Sequence, residues 1–240
     1  MEDYLNIRAV GFDETSSRRG HNYITIAVDL DTSKVIFASE GKDHTTIDSF
    51  SDDFISHLGK AENITDVCSD LSKAYNKGVQ DNFPNAAHTY DKFHIMKMVG
   101  EAIDYVRKEK QRFDPILQKT RYLWLKNRSS LSSGEEIRFD ELSKMNLKTA
   151  RAYRMKEARK VIWDCPDIES AIKVFNKWYF WVTHSCIEPM IRLVKALKRH
   201  QSGILNIVKS RISNGIVEVI NGKIQMLKRS GRGYPNMIIL

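Results

Sequence analysis

Three acids stand where carboxylates are unusual, and together they form a donor set for divalent cations. Asp13 interrupts an apolar run in Gly11-Phe12-Asp13-Glu14. A half-buried aspartate inside a strand is costly unless it is paired or binds metal. Asp70 ends the stretch that begins with the apolar Ile64–Cys68 segment. Sites in open α/β sheets gather at the carboxyl ends of strands, so Asp13 and Asp70 can share one site. Glu218 and Asn221, three residues apart, share a narrow face of a segment otherwise filled by Ile216, Val217, Val219, Ile220, Ile224 and Leu227. A carboxylate beside an amide on an apolar helix suits a divalent ion. Asp91 and His94 form a second compact pair at a strand-to-helix junction, one a hard anion and the other a base or ligand. Each residue also has a plainer account. Asp13 can be a turn former, and Asp70 and Asp91 can cap helices. Glu218 can be a first-turn acid favoured by the helix dipole, on a helix capped by Ser213 or Asn214.

Elements able to position these groups are readable from periodicity. Ile7–Glu14, Tyr23–Leu30 and Lys34–Ser39 read as strands, with a hairpin connection at Arg18-Arg19-Gly20. Thr45–Leu58 has helical spacing and stops at Gly59. Ile64–Cys68 is a fourth strand, Leu71–Asn82 a helix, and Ala87–Tyr90 a fifth strand after the Phe83-Pro84-Asn85 break. Three strands, a helix, then strand–helix–strand predict a mixed α/β sheet. The remainder reads as helical: Phe93–Lys110, Leu147–Trp163, Ile168–Thr183, Ile187–His200 and Ile216–Arg229. Each of the last four carries one apolar stripe for packing, and one break falls around Gly203. Asn127–Glu135, with its Ser-Ser-Leu-Ser-Ser-Gly run, is expected to be flexible.

Composition narrows the function classes. The chain has 240 residues, 42% hydrophobic and 28% charged, as ordinary globular proteins do. No segment reaches the ~20 apolar residues of a membrane span, and the first residues lack the features of a secretory signal. Cys68, Cys165 and Cys186 are scattered, which argues against a disulfide framework or a cysteine zinc site and for a reducing compartment. The net charge of +8 lies wholly in residues 187–240, where ten Lys/Arg face only Glu188 and Glu218. A basic segment with apolar periodicity reads as a folded surface for a polyanion. Lys195, Lys198, Arg199, Lys209, Arg211, Lys223, Lys228 and Arg229 are the candidate DNA-backbone contacts.

With these residues assembled, the chain resembles insertion-sequence transposases of the ISL-three family. The opening strands, Cys68-Ser69-Asp70-Leu71-Ser72-Lys73-Ala74-Tyr75, Asn82-Phe83-Pro84-Asn85-Ala86, Tyr90-Asp91-Lys92-Phe93-His94 and Arg211-Ile212-Ser213-Asn214-Gly215 follow one another in that family's order. The resemblance implies an RNase-H-like core whose catalytic, metal-holding triad is Asp13, Asp70 and Glu218. Two Mg²⁺ or Mn²⁺ ions are expected there, with Asp91, His94 and Asn221 outside the ligand set. The 148 residues between Asp70 and Glu218 are explained by a mostly helical insertion. That gives a core at 1–110, an insertion at 111–210 and a terminal core helix at 211–240. The implied activity is hydrolysis and strand transfer at transposon ends. The expected partner is double-stranded DNA, with a homo-oligomer assembled on it and a cytoplasmic, nucleoid-associated location. The family's N-terminal zinc-binding and helix-turn-helix region has no counterpart in these residues. A catalytic region without an end-specific reader is therefore expected, binding DNA in a salt-sensitive, sequence-indifferent way. Two readings compete: a nuclease of the same fold that cuts without joining, and a non-catalytic DNA-binding fragment.

Overall fold

The computed structural model describes residues 3–16, 23–145, 147–212 and 214–230. They divide into two compact units, one formed by residues 1–92 and 210–240, the other by 93–209. The hairpin connection at Arg18-Arg19-Gly20 and the capping position Ser213 lie outside the described residues.

The first unit is built on β1 (Ala9–Ser16), β2 (Tyr23–Asp29), β3 (Lys34–Glu40), β4 (Asp66–Ser69) and β5 (Ala87–Tyr90). Their order across the sheet is β3-β2-β1-β4-β5. β1 pairs antiparallel with β2 and parallel with β4; β2–β3 is antiparallel and β4–β5 parallel. β1 is therefore the central strand, and its Val10 and Phe12 are fully buried. A strand covered on both faces needs a continuous apolar run, and this one departs from it at Asp13.

On one face lie α1 (His44–Ser56) and α2 (Lys73–Asn82). Phe50, Phe54, Tyr75, Val79 and Phe83 from this layer close over Val10, Phe12 and Val67. Gly59 does not stop α1, as its sequence suggested. The helix ends at Ser56, and Leu58 takes a positive φ of 65°, a conformation more often given to glycine.

The other face carries α10 (Gly215–Ser230). Val217 joins Ile26 and Val28 in a separate apolar cluster, with Ile216, Ile220 and Ile224 packed alongside. Close approach of helix to strand is possible because Gly11 has no side chain. A Cβ there would lie 2.7 Å from Leu30 Cδ2 and 2.8 Å from both Asn214 Oδ1 and Val217 Cγ2.

The second unit is helical: α3 (Lys92–Gln111, counted from Phe93), α4 (Arg121–Leu125), α5 (Ser133–Lys144), α6 (Lys148–Trp163), α7 (Ile168–Thr183), α8 (Glu188–Lys198) and α9 (Gln201–Ser210). Three features correct the sequence reading. The segment expected to be flexible, Asn127–Glu135, holds a 3₁₀ turn at Arg128–Ser130 and the start of α5. Ser132 forms a capping box with Glu135, each side chain accepting from the other's backbone N–H. Gly203 does not break the chain but is buried inside α9. α6 buries more than one apolar stripe, since Lys156 and Arg159 are buried with Met155 and Trp163. The Lys156 ammonium donates to the carbonyls of Trp124, Leu125 and Lys126, capping the end of α4. The Arg159 guanidinium lies over the Trp163 ring. Among the described residues no helix is long and apolar enough to cross a membrane.

Gly11→Ala is expected to lower unfolding stability by about 1–3 kcal/mol through overpacking between β1 and α10. Urea denaturation of the variant measures this directly.

Candidate active site

Asp13 sits on the central strand with its side chain on the α10 side, 8% exposed. One carboxylate oxygen accepts from the Glu14 backbone N–H at 2.9 Å. The other accepts from the Asn221 amide of α10 at 2.8 Å. This contact joins residues 208 apart in sequence.

Register brings the other acids of the sheet to the same level. Gly11 lies opposite Cys68 across the parallel β1–β4 pair. Two residues further on each strand are Asp13 and Asp70, and strand alternation directs both to the side of the sheet that Gly11 faces. Ser69 lies opposite Tyr90, so Asp91 follows at the same level on β5's end. The Asp91 N–H donates to the Ser69 carbonyl at 2.7 Å, and the residue is 3% exposed. Burial first, then the charges of Asp91 and Asp13, push the Cys68 thiol well above its ordinary range. Burial likewise raises the Tyr75 hydroxyl, with the charges of Glu14, Asp70 and Asp13 adding to it. Three aspartates thus crowd the carboxyl edge of three adjacent parallel strands.

Asp70 is not the cap of α2. Its Oδ1 accepts from the Ser72 N–H at 2.8 Å, and Ser72 itself caps the helix through Tyr75 N–H. The aspartate closes its own turn, which fixes the carboxylate at the strand end.

α10 meets this edge along one flank. Asn214 donates to the Phe12 carbonyl at 2.8 Å, Asn221 to Asp13, and Gln225 to Thr15 Oγ1 at 2.6 Å and the Ser16 carbonyl at 2.9 Å. Lys228 also donates to the Ser16 carbonyl, at 3.0 Å. Ile216, Ile220, Ile224 and Leu227 occupy the opposite flank and pack toward β2 and β3. At about 100° per residue, Glu218 falls with Asn214, Asn221 and Gln225, on the flank that bonds β1. It is half-buried, and its N–H donates to the Asn214 carbonyl at 3.0 Å. Periodicity alone could have revealed this polar stripe at positions 214, 218, 221 and 225. The sequence reading used only two of its members, and gave Asn214 a capping role where its amide instead clasps β1.

The remaining candidates separate. Lys223 and Arg229 are exposed on α10, and Arg211 is exposed just before it. Lys195, Arg199 and Lys209 are exposed in the helical unit. Lys198, half-buried, donates to Asn176 and Gln201. His94 is half-buried in α3, with its ring edge-on to Phe93.

Among the described residues no three His, Cys, Asp or Glu side chains stand close enough to hold an ion as they are. The donor chemistry nevertheless fits a hard divalent cation. Asp13 and Asp70 offer hard oxygen donors at the ends of paired strands, and Glu218 shares the polar flank of α10 with Asn221, which bonds Asp13.

A transposase family model, that of the ISL-three DDE transposases, matches residues 10–239. The chain belongs to the ISL-three family of DDE transposases. Its mixed five-stranded sheet with surrounding helices is the RNase-H-like fold that the resemblance implied. A transposase for insertion sequence element IS1001 from Bordetella parapertussis is 29% identical over 240 residues, which cover 97% of this chain and 59% of the relative. A transposase for insertion sequence element IS1557 from Mycobacterium tuberculosis is 26% identical over 264 residues, covering 98% of this chain and 58% of the relative. The chain thus spans about three-fifths of the length of the curated relatives it matches. All six candidate site residues, Asp13, Asp70, Asp91, His94, Glu218 and Asn221, lie within the matched region.

Clustered like charges destabilise the metal-free protein. Asp70→Asn, which keeps an oxygen for the Ser72 N–H, is expected to raise metal-free stability at neutral pH by about 1 kcal/mol. Denaturant midpoints with and without chelator measure it.

Proposed function

We propose that this chain carries the catalytic centre of a cut-and-paste DNA transposase, which hydrolyses phosphodiesters at transposon ends and transfers the freed strand. Asp13, Asp70 and Glu218 hold Mg²⁺ or Mn²⁺, two ions per site. The observation that supports this reading is the Asn221–Asp13 hydrogen bond, which holds the polar flank of α10, the flank Glu218 shares, to β1. Bound divalent ions would supply Lewis acidity, making a water or 3′-hydroxyl nucleophilic and stabilising the leaving oxygen.

The chain's own residues do the rest. Asp13 is oriented by two donors, so its carboxylate does not search for its geometry when DNA arrives. Asp70 is fixed by its turn. Asp91, one strand over, adds negative charge that favours cations at this edge, and His94 orients the scissile phosphate or a water. Lys195, Lys198, Arg199, Lys209, Arg211, Lys223 and Arg229 bind phosphates and so position DNA without reading its bases. Lys228 contributes after releasing the Ser16 carbonyl. Double-stranded DNA is the partner, a homo-oligomer assembles on it, and the location is cytoplasmic, at the nucleoid.

The alternative reading is a non-catalytic DNA-binding fragment of a transposase. Cleavage assays separate the two. Asp13→Asn, Asp70→Asn and Glu218→Gln are each expected to cut Mn²⁺-dependent nicking of plasmid DNA by roughly a hundredfold or more. Salt-sensitive, sequence-indifferent gel shifts should be retained in all three. Nicking that survives all three substitutions, or that is absent from the parent chain, would overturn the catalytic reading.

A further inference from the structure

The helical unit displays a surface that the catalytic reading does not use. α7 buries Ala171, Phe175, Trp178 and Val182. Its opposite ridge carries Lys173, Lys177, Phe180, Trp181 and, at the C-cap, His184. Phe180 is 64% exposed and Trp181 43% exposed. The other three tryptophans, Trp124, Trp163 and Trp178, are buried. Two adjacent large aromatics left in water on a well-packed helix are costly, and burial positions were available to the same helix.

The ridge is also held in place. The His184 ring lies tilted against Phe180 at 4.0 Å between centroids, and His184 Nδ1 lies 2.8 Å from the Phe180 carbonyl. Lys173 pairs with Glu169 at 2.8 Å, while Lys177 is exposed one turn before Trp181. On α8, which packs beside α7, Lys195 and Arg199 add exposed positive charge and Lys198 lies over the Phe175 and Tyr179 rings. Preset aromatic faces flanked by cations complement a flexible polyanion with exposed π-surfaces. Duplex DNA hides its base faces in the stack; unpaired DNA presents them.

We infer that the Phe180–Trp181 ridge of α7 is a stacking site for unpaired bases of DNA, with Lys177 and its neighbours holding the backbone. This rests on DNA being the chain's substrate, but on no catalytic residue. A second copy of the chain is a poorer occupant, since its own lysines would be brought against these.

Trp181, as the exposed tryptophan, supplies a built-in probe. Metal-free protein is titrated with a short oligothymidylate and with an abasic strand of equal length and charge, following tryptophan emission and the anisotropy of labelled strands. The oligothymidylate should quench emission saturably and bind about tenfold more tightly than the abasic strand. Trp181→Ala and Phe180→Ala should lose that preference while keeping abasic binding. Trp181→Phe should keep most of it. Equal binding of the two strands by the parent protein would overturn the inference. So would Trp181 emission that responds to protein concentration without DNA, which assigns the ridge to self-association. Either outcome leaves the triad untouched, because neither metal nor cleavage enters the assay.

Discussion

The carboxyl edge of the sheet depends on α10 lying close along β1. Gly11 makes that approach possible, and the amides of Asn214, Asn221 and Gln225 secure it with hydrogen bonds to β1. These bonds are not interchangeable with apolar packing. An apolar flank slides along a strand at little cost, whereas amide-to-carbonyl and amide-to-carboxylate bonds fix both rotation and register. Glu218 inherits its position from them, since it shares their flank. The apolar flank over β2 and β3 supplies burial, and the polar flank supplies aim.

The edge itself is electrostatically unfavourable in isolation. Asp70 and Asp91 follow the ends of β4 and β5, and Asp13 lies within the adjacent β1; Asp13 and Asp91 are buried. Burial raises the Cys68 thiol and the Tyr75 hydroxyl, and the charges of these aspartates add to it. Proteins retain costly charge where it has use, and a cation-binding edge is the use that fits oxygen donors. The positive excess of the chain is carried by residues 187–240, which include α8, α9 and α10.

Much of the fold was legible because its elements carry clean periodicities. β5 and α7 fall on the residues that alternation and helical spacing gave them, and β1 to β4 within a few positions. The elements that escaped are short or polar. α4 spans five residues, and α5 begins in a serine-rich stretch whose hydroxyls cap the helix rather than loosen the chain. α9 escaped because a buried glycine was read as a breaker. At the site, the individual acids stood out as misfits in apolar runs. Their adjacency did not, because the parallel register that sets Asp13 level with Asp70 is a property of strand pairing between segments more than fifty residues apart. The roles of Asn214 and Gln225 depend likewise on which flank of α10 turns inward.

The central claim is that Asp13, Asp70 and Glu218 serve one metal site although they come from three separate elements. Mn²⁺ binding, followed by the loss of the free-ion electron paramagnetic resonance signal, tests it most directly. Glu218→Gln, which leaves Asn221 on Asp13, should weaken Mn²⁺ binding by about tenfold or more, as should Asp13→Asn and Asp70→Asn. If Glu218→Gln bound Mn²⁺ as tightly as the parent chain, α10 would not supply a ligand and the three-residue site would be wrong.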